Sequence, residues 1–246
     1  MIRRLFWALA LAALAQSSLA AECRQTTHLG TSYSVCEIAP AREELRLFLN
    51  DENGVPYGHF SRVRDAIAPK GEHLSFAMNA GMYHPDRSPV GYFRENDQER
   101  MRLITSAGPG NFGLLPNGVF CIQEKAAHVI ETLAFAAQNT ACRFASQSGP
   151  LLIKDGQLHP RFLENSTSKF IRNGVGTSAR GDRAVFVISD APVNFHQFAS
   201  FFRDDLRLPN ALYFDGNISR LFAPGIGRDD MGFAMGPIVG AIGRDN

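Results

Sequence analysis

The sequence predicts an α+β fold: a single domain of twisted, largely antiparallel or mixed β-sheets with a few helices. Three observations carry that expectation. Short apolar runs rich in aromatic and β-branched residues recur along the chain, punctuated by many of its 22 glycines and 13 prolines, as strands joined by tight turns would be. Only about two substantial segments carry the apolar spacing of an amphipathic helix. The regular alternation of strand and helix that builds a parallel nucleotide-binding sheet is missing. No linker, charge block or internal repeat divides the 246 residues, so residues 21–246 read as one domain.

Residues 1–20 read as a signal peptide. Arg3 and Arg4 precede an apolar run from Leu5 to Ala15, and Ser18-Leu19-Ala20 supplies small residues for cleavage before Ala21. That run is short for a bilayer, and no later segment reaches membrane-spanning length. An exported chain, periplasmic or secreted, is the expectation. Alternating residues rich in Thr and Tyr then suggest strands up to Ile38. Leu45–Leu49, Asp51-Glu52-Asn53-Gly54 and Val55-Pro56-Tyr57 suggest a hairpin. Phe60, Val63, Ala66 and Ile67 fall on one helical face, which Pro69-Lys70-Gly71 ends. Leu74–Met78 reads as a buried strand running into Asn79-Ala80-Gly81.

Glycine-punctuated strands and turns follow, at Val90–Phe93, Gly108–Gly113 and Pro116–Cys121. Gln147-Ser148-Gly149-Pro150 leads into the strand Leu151–Ile153. Val175–Thr177 and Val185–Ser189 bracket a turn. Asn194 caps a helix whose apolar face is Phe195, Phe198, Phe201, Phe202 and Leu206. Beyond Pro209, Ala211-Leu212-Tyr213-Phe214 is a buried strand that stops on Asp215-Gly216, with Ser219 and Arg220 close behind. Met235–Ile242 reads as the last strand.

Two of the 25 basic residues fall in the first twenty, so basic groups nearly balance the 24 acidic ones in the remainder. Such a chain has no general field for nucleic acid or an anionic membrane. Any anionic ligand must be met by a few placed groups. Cys23, Cys36, Cys121 and Cys142 form an even set without a C-x-x-C pair, which favours structural disulfides. Three connectivities are open, and proximity in sequence favours Cys23–Cys36 and Cys121–Cys142. The seven histidines show no metal-ligand spacing. No cofactor is evident, although a divalent cation is not excluded. Phosphate-loop, zinc-protease and nucleophile-elbow motifs are absent.

What recurs is a strand that ends on a small polar residue and glycine, at Asn79/Gly81, Ser148/Gly149, Asn173-Gly174 after Arg172, and Asp215-Gly216. Loops of this kind converging at a sheet edge suit an anionic, hydroxyl-rich ligand. Arginine and backbone N–H groups match phosphate oxygens, and Asp and Asn match sugar hydroxyls. In this order, with Pro116–Phe120 between, these segments resemble the bacterial branch of the phosphodiester glycosidase family, whose members are often labelled exopolysaccharide biosynthesis proteins. The likeness runs from about Asn79 to Ile242.

The resemblance implies a phosphorylated or phosphodiester-linked carbohydrate as substrate. It makes Asp215 and Arg172 catalytic, with Asn79, Gly81, Ser148, Gly149, Asn173, Gly216 and Ser219 binding substrate. Asn217-Ile218 stands where the animal branch has a longer glycine run. Asp190 and Asp230 are candidates for a second acid. The reading predicts that Asn79, Arg172 and Asp215 gather around one pocket. The alternative is a non-catalytic glycan-binding protein in polysaccharide assembly.

Overall fold

A computed structural model describes residues 21–244. The segment expected to be a signal peptide lies outside the described residues. Three sheets, each with neighbouring strands antiparallel, make up the fold. The seven-stranded sheet runs in the order Glu22–His28, Thr31–Ile38, Ala184–Ser189, Asn173–Thr177, Asn210–Asp215, Leu151–Lys154 and Gln157–Leu158. A five-stranded sheet places Glu72–Asn79 between Leu221–Ala223 and Ile238–Arg244. A second five-stranded sheet is built around Phe144–Ser148 and Gly118–Ile122.

Aromatic side chains hold the three sheets on one core. Phe76, Phe120, Phe186 and Phe214 come from all three sheets and are fully buried. Their ring centroids lie 4.7 Å (Phe76–Phe186), 5.6 Å (Phe120–Phe186) and 6.1 Å (Phe120–Phe214) apart. Offset and edge-on contacts at such distances add about 0.5–1.5 kcal/mol per pair beyond burial. Helix α1 (Phe60–Ile67) buries Phe60, Val63 and Ile67 against the first five-stranded sheet. Helix α2 (Thr132–Gln138) follows the strand Ala127–Glu131, and Glu131 caps it by accepting from Leu133 N and Ala134 N. Helix α3 (Phe195–Ser200) starts where Asn194 Oδ1 accepts from Gln197 N at 2.8 Å, and Phe198 buries onto the seven-stranded sheet. Its continuation supplies Phe201 and Phe202 to the same cluster.

Several expected elements differ in detail. The Leu45–Tyr57 hairpin reduces to an Asn50–Pro56 bridge, because Pro56 has no N–H for a ladder and Glu44–Phe48 pairs instead with Ile238–Arg244. Of Val90–Phe93, only Phe93 enters a strand. The last strand starts at Ile238, after Pro237. Cys23–Cys36 and Cys121–Cys142 are the disulfides formed. The first joins directly paired positions of the opening hairpin.

The strand ends that bear polar residues meet at a seam between sheets. Asn173 opens its strand opposite Asp215, with a bulge immediately after. Asn79 closes the Glu72–Asn79 strand. The segment from Asp215 to Arg220 crosses from the seven-stranded sheet to the Leu221–Ala223 strand of its neighbour.

Candidate active site

Two buried asparagines fix that crossing at both ends. Asn79 Nδ2 donates to Asn173 Oδ1 (3.1 Å), and Asn173 Nδ2 donates to Asn79 Oδ1 (2.8 Å) and Asn79 O (3.1 Å). The remaining acceptor capacity holds the loop. Asn173 Oδ1 accepts from Asp215 N at 3.1 Å, and Asn79 Oδ1 accepts from Arg220 N at 3.0 Å. Ser219 Oγ lies 2.9 Å from Ile171 O and 3.1 Å from Asp215 O, closing the turn. Asn79 and Asn173 are fully buried. Their amides serve the protein and do not reach the cavity.

That cavity, about 680 Å³, opens beside the loop and is walled by Tyr83, Arg87, Phe170, Tyr213, Asp215 and Ile218, among others. Asp215 is the only acid among the described residues that wall it. Asp215 Oδ1 accepts from Gly216 N (2.6 Å) and Asn217 N (3.0 Å). No basic side chain pairs with it among the described residues. Burial pushes its carboxyl above the ordinary range, opposed by the N–H groups of Asn217, Gly216 and Ile218.

Gly216 is required here, since a Cβ would collide with the Tyr213 hydroxyl. Burial also raises the Tyr213 hydroxyl, and Arg172 only partly offsets it, so it stays protonated at neutral pH.

Arg172 stands behind Tyr213 and does not wall the cavity. It is 1% exposed. Nε donates to Val193 O (2.9 Å), Nη1 to Tyr213 Oη (3.2 Å) and Nη2 to Ser168 O (3.0 Å). Its guanidinium carbon lies 3.7 Å from the centroid of the Phe195 ring, with Phe170 and Tyr213 each at 5.4 Å. A desolvated cation over an aromatic face gains about 2 kcal/mol, which helps explain a buried arginine without a carboxylate. Burial nonetheless lowers its pKa.

The other expected residues sit as follows. Ser148 Oγ donates to Phe214 O at 3.0 Å from full burial, beneath the strand that bears Asp215. Gly81, at φ +150, lies against Ser146 Oγ, and Gly149 lies against Asn117. Asp190 and Asp230 are bridged by Arg228, whose Nη1 is 2.7 Å from Asp190 Oδ1 and whose Nη2 is 2.9 Å from Asp230 Oδ2. Asp190 also accepts from Ser32 and Ser34, and Asp230 from Leu221 N. Neither acid reaches the Asp215 cavity. Another groove, of about 580 Å³, contains Glu44 and Arg46, but their charges pair with each other. Among the described residues, no cluster of three or more His, Cys, Asp or Glu is arranged to hold a metal.

Sequence reasoning missed Tyr83, Arg87 and Tyr213, and read Gly108–Gly113 only as a turn. That turn brings Gly110 and Asn111 to the cavity wall. For Tyr213 a signal existed: it is the one polar-tipped residue of the apolar run, two residues before Asp215.

Fold and site together give three antiparallel sheets with a cavity at their seam, walled by one acid among the described residues. The chain belongs to the phosphodiester glycosidase family, whose pattern matches residues 72–229. Members are enzymes that act on phosphodiester-linked sugars. An Escherichia coli (strain K12) relative, the uncharacterized protein YigE, is 34% identical over 188 residues, covering 76% of this chain and 73% of that protein. The fold is shared with the catalytic domain of zebrafish N-acetylglucosamine-1-phosphodiester α-N-acetylglucosaminidase, auto-inhibited there by its pro-peptide. The TM-score is 0.62 at 14% identity, with 93% of this chain and 85% of that one covered. A hypothetical protein from Synechocystis has a TM-score of 0.59 at 13% identity, with coverage of 91% and 62%. A putative exported protein from Burkholderia pseudomallei K96243 has 0.55 at 10% identity, with coverage of 86% and 74%.

Proposed function

We propose that this protein is an exported hydrolase that cleaves the sugar–phosphate bond of a sugar 1-phosphodiester in an envelope or extracellular glycan. The observation that carries the reading is a half-buried carboxylate, Asp215, the one acid among the described residues on the wall of a cavity of sugar-phosphate size, in a chain of this family. The activity named for the zebrafish relative, on an N-acetylglucosamine 1-phosphodiester, fits the same bond. Two disulfides suit an oxidising compartment.

One carboxylate is enough for this bond. A phosphomonoester is a good leaving group, so the oxygen that departs from the sugar carbon needs no strong acid. Asp215, its pKa raised by burial, takes a proton from water as the water oxygen bonds to the anomeric carbon. The C1–O bond breaks, its electron pair leaves on the phosphate, and Asp215 returns the proton to solvent. The N–H groups of Gly216 and Asn217 fix the carboxylate's orientation. Tyr213 keeps its proton and offers a neutral hydroxyl at the cavity wall. Arg172 orients that hydroxyl from behind, so its contribution to turnover passes through Tyr213.

Turnover of an N-acetylglucosamine 1-phosphodiester in ¹⁸O-labelled water tests this. The reading expects label in the released sugar and inversion at its anomeric carbon. Label in the phosphate would move the chemistry to phosphorus, and retention would make Asp215 a nucleophile.

A further inference from the structure

Arg220 is a buried cation whose guanidinium lacks a bonded partner among the described residues. It is 6% exposed, yet its guanidinium makes no hydrogen bond or ion pair with any described residue. The other buried arginine, Arg172, is engaged with two carbonyls and a hydroxyl, and the half-buried Arg46 and Arg228 pair with Glu44 and Glu72 and with Asp190 and Asp230. Nor are its nitrogens sealed in. The polar side-chain atoms that are both sealed and unpartnered belong to Tyr33, Glu43, Arg94 and Arg183. An unpaired guanidinium in a slot open at its tip is costly in the empty protein, and burial depresses its pKa. A ligand anion would remove that cost.

Arg220 does not itself wall the Asp215 cavity, but it stands next to the loop that does. Arg220 N is held by Asn79 Oδ1, in the same clamp that holds Asp215 N through Asn173. The segment from Gly232 to Ala234 joins the two: Gly232 lies against the Arg220 guanidinium, and Ala234 O accepts from the hydroxyl of Tyr83, a cavity wall residue, at 3.4 Å. Asp230 is the acid that acts on Arg220 through space, and its oxygens are already bonded to Arg228 and Leu221 N. Gly232 crosses the guanidinium at φ +138, and a Cβ there would stand 2.6 Å from Arg220 Nη2. Only glycine leaves the fork its place.

We propose that Arg220 is a phosphate-binding arginine set beside this cavity, receiving non-bridging oxygens of the phosphodiester past its Tyr83 end. The proposal rests on the reading of the Asp215 cavity given above, and it moves the phosphate role from Arg172 to a residue whose N–H groups are free. A planar fork suits two phosphate oxygens, which a lysine cannot match.

The test measures binding of inorganic phosphate by calorimetry, with melting temperature, for the full chain and for Arg220→Gln, Arg220→Lys, Arg87→Gln and Asp215→Asn. The expected result is at least a tenfold loss of phosphate affinity in Arg220→Gln, a partial loss in Arg220→Lys, and affinity retained in Asp215→Asn. Melting of Arg220→Gln should be unchanged or raised, because no protein bond is lost. A lower melting temperature with phosphate binding intact would make Arg220 merely structural and overturn the proposal. Loss confined to Arg87→Gln would move the site to the open rim and also overturn it. If wild type turned over no sugar phosphodiester, the cavity reading would fall. Arginine-dependent phosphate binding would still stand as its own result.

Discussion

Removing the Asn173 side chain should destabilise the protein by an amount the structure sets. Asn173→Ala takes the acceptor from two donors, the half-buried Asp215 N and the buried Asn79 Nδ2, each at 3.1 Å. It also takes the donor that serves Asn79 O and Asn79 Oδ1. A buried group left unpaired costs about 1–3 kcal/mol, so two donors give about 3 kcal/mol once partial relaxation is allowed. For a domain of this size each kcal/mol lowers the melting temperature by about 2–4 °C, which places the loss at about 6–12 °C.

Asn79→Ala should cost somewhat less, because it frees Arg220 N but leaves Asn173 Nδ2 its bond to the backbone Asn79 O. The double variant should fall short of the sum by at least ~1 kcal/mol, since each single change already breaks the shared bonds. Thermal melts of the four proteins complete the cycle. Strict additivity, or an Asn173→Ala melt within about 2 °C of wild type, would refute the clamp. With Asp215 N unpinned, turnover should fall about 10²-fold while the chain stays folded.

The remaining predictions concern charge and cross-links. Asp215→Asn should abolish turnover yet melt at or above wild type at pH 7, because the raised carboxyl pKa makes the ionised form a cost in the folded state. That cost is absent below the unfolded pKa, grows as pH rises from there to the raised folded pKa and levels off above it, so the difference between the two melts should shrink towards pH 4. Arg172→Lys should lose about 3–5 kcal/mol, read from denaturant unfolding, as the fork that bonds Val193 O, Tyr213 Oη and Ser168 O is lost from a buried site. Reduction of both disulfides, which close loops of 13 and 21 residues, should cost about 2–4 kcal/mol per bridge by the same assay.

How far the site was readable follows from which contacts are local. Asp215 was readable because an apolar run ending on Asp-Gly is a local pattern. Asn79 and Asn173 were identifiable as polar strand ends, but their task depends on two sheets meeting 94 residues apart in sequence. Nothing local says that one amide will bond another across that seam. Arg172 precedes an Asn-Gly pair and so resembled a ligand-facing arginine. Its burial against Phe195 depends on the start of α3, which sequence spacing does not bring near. Tyr213 stayed hidden because a tyrosine in an apolar run reads as core. Helix α2 buries only Thr132 and Phe135 from an alanine-rich turn, so it carries almost no periodic signal.

The central claim is that Asp215 drives cleavage of a sugar 1-phosphodiester, and release of reducing sugar tests it most directly. Purified wild type and folded Asp215→Asn are given an N-acetylglucosamine 1-phosphodiester and related donors. Sugar released by wild type and not by the variant is the predicted result. Equal release by both, or none by wild type from any donor, would contradict it.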